Sequence, residues 1–169
     1  MTAFDDDDAP ERSTFNRAGA PFLEQGRAQN TLRHELQKMF NAIEERIDEA
    51  SAHDADTIIE VSSVPNRIIA RHGTVAVSFS WLTGRLGGVS DGQLLVMEWA
   101  GLPPNKRGPH ALKTAKSSRE ASYRPEATDA ASWCWRTATE EGRAPSTVDL
   151  VGEWFDGVMR ARNRELAQA

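Results

Sequence analysis

The sequence contains a single cysteine, Cys134, among its 169 residues. One cysteine can form neither an intramolecular disulfide nor a cysteine-based zinc site, so neither can stabilise this fold. Because Cys134 lies between Trp133 and Trp135, we interpret it as a buried, unreactive thiol rather than a nucleophile. A chain without disulfides is typical of a reducing compartment, and we predict that the protein is cytoplasmic.

The sequence also lacks a long apolar run, since none approaches the roughly 20 residues that a membrane-spanning helix requires. Its first residues are acidic, with aspartate at positions 5–8, where a secretion signal would be basic and then apolar. We therefore expect neither export nor a membrane partner. Residues 1–18 have no apolar periodicity and predict an acidic, disordered tail. The remaining residues, 19–169, are enough for one domain with a buried core.

Signatures of catalysis and of cofactor binding are scarce. The glycine-rich segment 84–88 lacks the Lys-Ser or Lys-Thr pair of a P-loop, and we interpret it as a hairpin loop. His53, Asp54 and Asp56 could hold a metal only if further ligands converged on them from elsewhere in the chain. We therefore predict no catalytic residue, no metal and no cofactor, and the sequence favours a protein that is not an enzyme.

The middle of the chain, in contrast, has a clear β pattern. Within the segment 74–82, large apolar residues alternate with small ones, and this period of two places the two sets on opposite faces of a sheet. The large set is Val75, Val77, Phe79 and Trp81, and the small set is Ala76, Ser78 and Ser80. Strand composition also marks 57–62, 67–72, 93–100 and 133–136. Short connections between such segments predict an antiparallel meander of four to five strands.

Helix-patterned segments lie on either side of this sheet. From residue 31 to about 50, apolar residues recur at spacings of three and four, which predicts an amphipathic helix. Near the other end, Ser146 and Asp149 resemble a capping box that opens a C-terminal helix. If both helices cover the apolar sheet face, the fold is a single α+β domain.

The segment 102–130 is the main basic region of an otherwise acidic chain of net charge −5. Its prolines and the absence of an apolar period predict a long loop before the last strand. Basic side chains could neutralise phosphates, and a tyrosine could stack on a base. The candidate nucleic-acid contacts are Lys106, Arg107, Lys113, Lys116, Arg119, Tyr123 and Arg124.

These observations favour a protein–protein interaction module that self-associates. The small residues on one sheet face would suit a second subunit, and tryptophans concentrate binding energy at interfaces. The candidate interface residues are Ser78, Ser80, Trp81, Trp99, Trp133 and Trp135. The order of elements resembles that of small acidic bacterial adaptors and secretion chaperones, a resemblance of fold alone that implies a protein partner. The alternative function is nucleic-acid or phosphate binding through residues 104–124.

Overall fold

Two long helices and a six-stranded antiparallel sheet make up the computed structural model, which describes residues 26–54, 57–128, 133–137 and 144–168. Helix α1 spans Gly26–His53 and helix α2 spans Thr147–Gln168. The strands are β1 (Ile59–Val64), β2 (Arg67–His72), β3 (Val75–Leu82), β4 (Gln93–Ala100), β5 (Lys116–Ala127) and β6 (Trp133–Thr137). They lie in chain order across the sheet, so β1 and β6 are its edges. The tail 1–18 and Asp56 lie outside the described residues.

Both helices pack on the same face of the sheet, which we call the helix face. Val77 and Phe79 of β3 are almost fully buried there, in one core with Ile43 of α1 and Trp154 of α2. The alternation predicted for β3 therefore holds, because the large side chains need the apolar surface that the helices supply. The structure confirms the predicted α+β fold, in which an N-terminal and a C-terminal helix flank an antiparallel meander.

One strand that the sequence did not predict, β5, corrects part of the prediction for residues 102–130. Residues 116–127 form β5, which pairs with β4 and β6, so the irregular connection covers only residues 101–115. The strand is hard to recognise because most of its side chains are polar and exposed, and because it contains Pro125. This proline is tolerated since the pairing with β4 ends at Tyr123, where the missing N–H is no longer needed.

The opposite face of the sheet, which we call the second face, is partly covered by the connection 101–115. Leu102, Ala111 and Leu112 from this connection pack on Ile69 and Ala76 in a second, smaller apolar cluster. The small size of Ala76 lets the connection approach the sheet closely. The second face is therefore not a flat, open surface of small residues.

A buried hydrogen-bonded chain ties both helices to β6. The indole Nε1 of Trp135 donates to Thr147 Oγ1 at 2.9 Å, and the Thr147 hydroxyl donates to Glu35 Oε2. Lys38 Nζ donates to the other oxygen of Glu35 at 2.7 Å. Glu35, Thr147 and Trp135 are all buried, so these bonds satisfy polar groups that water cannot reach.

Neither α1 nor α2 is long and apolar enough to cross a membrane, and they are the only long helices in the described ranges.

Candidate functional site

Strand β1 forms one edge of the sheet, with a backbone that has no partner strand on its outer side among the described residues. Strand β1 pairs with β2 on one side, from Ile59 opposite His72 to Val64 opposite Arg67. On its other side no element of the described chain pairs with it. An edge strand of this kind presents unpaired N–H and C=O groups that can bind another strand. Two large apolar side chains border the edge, since Ile58 is 71% exposed and Val64 is 42% exposed.

The composition of β1 leaves this edge unprotected. Proteins commonly block such an edge with lysine, proline, a bulge or an inward-pointing charge. Between Ile59 and Val64 the only charged residue is Glu60. The pairing of β1 with β2 has no register shift, so the strand contains no bulge. Pro65 lies in the turn to β2 and not in the strand. The sequence of β1 therefore permits a further strand to pair along it.

A cavity of about 620 Å³ lies beside this edge, between the second face and the connection 101–115. We call it the edge cavity. Ile69 and Ala76 form its apolar floor, and Leu102 and Leu112 face them from the connection. Its polar lining residues are Glu60, Ser62, Arg71 and Arg107. A cavity with a mixed polar and apolar lining beside an open edge is suited to an amphipathic side chain of a docked strand.

Arg71 holds the connection in place over the sheet. Its guanidinium Nε donates to the Gly73 carbonyl oxygen at 2.8 Å and Nη2 donates to that of Pro103 at 3.0 Å. The other terminal nitrogen, Nη1, donates to the carbonyl oxygen of Lys106. Because Arg71 is only 8% exposed, these bonds give acceptors to three of the five N–H groups of a guanidinium that is largely removed from water.

The structure brings together few of the predicted interface residues at the surface. Trp81, Trp133 and Trp135 are buried on the helix face, where Trp135 lies 6.3 Å from Trp81 and 5.8 Å from Trp133 between ring centroids. They are therefore inaccessible to a partner while the fold is intact, and their aromatic contacts stabilise the core instead.

The other three predicted interface residues belong to the second face. Ser78 and Ser80 are buried there, since the Trp99 indole donates to Ser78 Oγ at 2.9 Å and Arg67 Nε donates to Ser80 Oγ at 3.0 Å. Trp99 itself is half-buried against the connection 101–115. Larger neighbouring side chains thus cover the small residues that we expected to form a contact surface.

The predicted nucleic-acid contacts do not form one surface either. Tyr123 is buried, and its hydroxyl accepts a hydrogen bond from Trp154 Nε1 at 3.0 Å, so its ring cannot stack on a base. Arg119 lies on the helix face, 4.0 Å from the centre of the Trp154 ring, and pairs with Glu153. The remaining candidates are exposed and lie in the connection or along β5, namely Lys106, Arg107, Lys113, Lys116 and Arg124.

Cys134 is half-buried on β6, and its thiol donates to the carbonyl oxygen of Glu126 at 3.7 Å. Burial raises the pKa of this thiol, the Glu126 carboxylate raises it further, and Arg136 partly offsets the increase. Arg136 donates its own hydrogen bond to the Glu126 carboxylate, and this bond raises the pKa of Arg136. The sulfur is therefore held as a neutral thiol, which is a poor nucleophile.

The candidate metal ligands have other hydrogen bonds. His53 Nδ1 lies 2.8 Å from the Glu49 carbonyl oxygen, and Asp54 accepts a bond from the Thr57 hydroxyl at 3.0 Å. In the ranges that the structure describes, no three histidine, cysteine, aspartate or glutamate side chains are grouped as metal ligands would be.

Sequence reasoning missed the open edge because edge position depends on the order of strands and not on local composition. Ile58, Val64 and Arg71 were not among the candidate residues, although Arg107 was. One signal was available, namely the absence of lysine and proline from residues 59–64. No family model, curated protein or solved structure matches this chain.

Proposed function

We propose that the protein is a non-enzymatic protein–protein interaction module that self-associates by pairing β1 with β1 of a second copy. The observation that carries this proposal is the open, unprotected edge of β1 with an exposed apolar residue at each end. Antiparallel pairing of two such edges would join the two sheets into one and satisfy the unpaired backbone groups.

The backbone of β1 has a regular set of groups for this pairing. A two-residue turn connects Val64 to Arg67, and the residues that flank such a turn are hydrogen-bonded to each other. Because bonding alternates along an antiparallel strand, Ile59, Val61 and Ser63 turn their N–H and C=O groups towards the open edge. These three alternate residues provide enough N–H donors and C=O acceptors for a short ladder of hydrogen bonds between two copies.

The positions of the apolar residues favour one register. Ile58 and Val64 are each three residues from Val61, so a two-fold axis at Val61 places Ile58 of one copy opposite Val64 of the other. The same register sets Glu60 opposite Ser62 of the second copy. A surface that is complementary to itself in this way is what a two-fold symmetric dimer requires.

The cytoplasm remains the compartment that we propose, since the single thiol needs no oxidising environment.

Molar mass measured by light scattering at increasing protein concentration tests the proposal. Val64→Lys should lower the affinity of self-association by at least about tenfold, because it places a charge opposite Ile58 of the second copy twice in the dimer. Leu82→Lys is the matched control, since Leu82 is 39% exposed, close to the 42% of Val64, but lies on the interior strand β3. A monomer at every concentration, or equal effects of the two variants, would contradict the proposal.

The alternative function, nucleic-acid binding through residues 104–124, has less support. Its tyrosine is buried, Arg119 is paired with Glu153, and the exposed basic residues are distributed along a loop and a strand. Absorbance at 260 nm during the same light-scattering measurement would reveal nucleic acid bound to the protein.

A further inference from the structure

We propose that a pit at the end of the sheet binds a small oxyanion, phosphate or carboxylate. The pit lies where β1 begins and β2 turns into β3, and its volume is about 420 Å³. Its polar lining residues are Glu60, Arg71, His72, Thr74, Arg107 and Arg162. This inference does not require β1 to pair, since a monomer would have the same pit, although Ile58 and Glu60 border both the pit and the edge of β1.

The charge of the pit is opposite to that of the protein. Three guanidinium groups line it against one carboxylate, Glu60, in a chain of net charge −5. Glu60 pairs with Arg107 at 3.2 Å. Arg162 pairs at 3.1 Å with Glu165, which also accepts a hydrogen bond from Thr74. The two carboxylates therefore leave one positive charge of the three unbalanced, and that charge attracts an anion.

Among the described residues, Arg71 is the arginine of the pit that forms no ion pair, although Glu60 lies opposite it in the register of β1 and β2. Arg71 is more than nine-tenths buried, and within the described chain its hydrogen bonds go only to neutral carbonyl oxygens. Buried charges are generally paired, because removing an ion from water is costly. The three bonds use three of its five N–H groups, so one N–H on each terminal nitrogen is left for a ligand. An oxyanion would supply both the missing charge and the missing acceptors.

Arg162 reaches the pit from α2 across the turn between β2 and β3. Gly73 adopts φ +62° in this turn, and a Cβ there would lie 2.8 Å from the Cζ of Arg162, so a side chain at position 73 would displace the guanidinium. The Nε of Arg162 is buried and has no hydrogen-bond partner among the described residues. Bound water or an ion commonly satisfies such a donor.

The ligand class follows from the guanidinium geometry. The planar N–H fork of arginine matches the paired oxygens of a carboxylate or a phosphate, and bidentate bonds of this kind are strong. The pit is large enough for a free anion or for an acidic group on a larger ligand, and both sources share this chemistry.

Isothermal titration calorimetry with inorganic phosphate, and separately with succinate, at a constant ionic strength set by chloride, tests the inference. Arg107→Ala should weaken oxyanion binding by at least about tenfold, because it removes one of three cations that line the pit. Lys113→Ala is the matched control, since it removes one exposed positive charge from the same connection outside the pit. Glu60→Gln should tighten binding, because it removes the opposing carboxylate.

The two ligands distinguish the sources. Saturable binding of phosphate alone points to a phosphate-bearing ligand, and binding of succinate alone points to a carboxylate. The inference is overturned if neither anion gives saturable heat with the wild-type protein. It is also overturned if Arg107→Ala and Lys113→Ala weaken binding equally, since the effect would then be one of overall charge.

Discussion

The two edge strands of the sheet, β6 and β1, differ in what bonds to their outer sides. At β6, the backbone N–H of Trp135 donates to the carbonyl oxygen of Pro145 at 3.0 Å, and its indole bonds to Thr147 at the start of α2. The chain that enters the last helix thus closes this edge. At β1, no described element bonds to the outer side of the strand. The difference indicates that β6 contributes to stability, whereas β1 is available for interaction.

The largest effect that we expect comes from breaking the closed edge. Thr147→Val removes the hydroxyl between Trp135 and Glu35 while keeping the shape of the side chain. Two buried polar groups then lose a partner, which should lower the free energy of unfolding by about 2–4 kcal/mol. Urea denaturation measures this loss.

Thr31→Val is the control for that experiment. The Thr147 hydroxyl makes two buried hydrogen bonds, whereas that of Thr31 makes one, to the Arg27 carbonyl oxygen at 3.2 Å, which is exposed on α1. We expect a change within about 0.5 kcal/mol, as for most surface substitutions. Equal losses of unfolding free energy in the two threonine variants would show that the hydrogen bonds of Thr147 to Trp135 and Glu35 do not stabilise this edge.

A smaller loss is expected from Trp154→Phe, which tests the neighbouring strand β5. The change removes the hydrogen bond to Tyr123 and part of the ring beneath Arg119. The free energy of unfolding should fall by about 1–3 kcal/mol, since the Trp154 ring and its bond to Tyr123 are buried. Trp99→Phe on the half-buried second face is the control, with a loss of about 1 kcal/mol from its bond to Ser78. A larger loss at Trp99 would contradict the account.

The local sequence was sufficient to predict most of the fold but not the open edge. Strand β3 was predictable because one face needs large apolar side chains, and α2 was predictable because its apolar stripe follows a capping residue. Strand β5 was missed because its stability comes from pairing on both sides and not from its own apolar content. Its first five residues are all exposed, and only Tyr123 and Pro125 of the strand are buried.

The candidate site depends on contacts that are distant in sequence. Arg71 gains its role only when the connection 101–115 folds back and offers the carbonyl oxygens of Pro103 and Lys106. Arg162 joins the pit because α2 crosses the turn at Gly73. A local pattern carries no information on either event, so sequence reasoning could name basic residues but could not place them.

The smallest effect concerns the thiol on β6. Because the pKa of Cys134 is raised, the folded protein should react with a thiol reagent more slowly at mildly alkaline pH than the denatured protein does. The proton is held more tightly in the folded state, so this group's contribution to stability is present below the ordinary thiol pKa and is lost as the pH rises above it. The pH profile of the reaction rate measures the shift.

Glu126→Gln sharpens that measurement. It removes the nearby negative charge that raises the pKa of Cys134, so the reaction should accelerate at the same pH. Glu120→Gln removes an exposed carboxylate farther along β5 and should leave the rate unchanged. Burial, the largest cause of the shift, is unchanged in these variants, so equal rates in both and in the wild type would contradict only the contribution of Glu126.

Cysteine trapping tests whether β1 pairs with β1 of a second copy about a two-fold axis at Val61. In a Cys134→Ser background, Val61→Cys places two thiols opposite each other, within reach of a disulfide. Ser63→Cys is the control, because in this register its two copies lie four residues apart, about 14 Å along the strands. We expect a covalent dimer under mild oxidation from Val61→Cys and none from Ser63→Cys. No dimer from Val61→Cys, or equal dimer from both, would contradict this pairing.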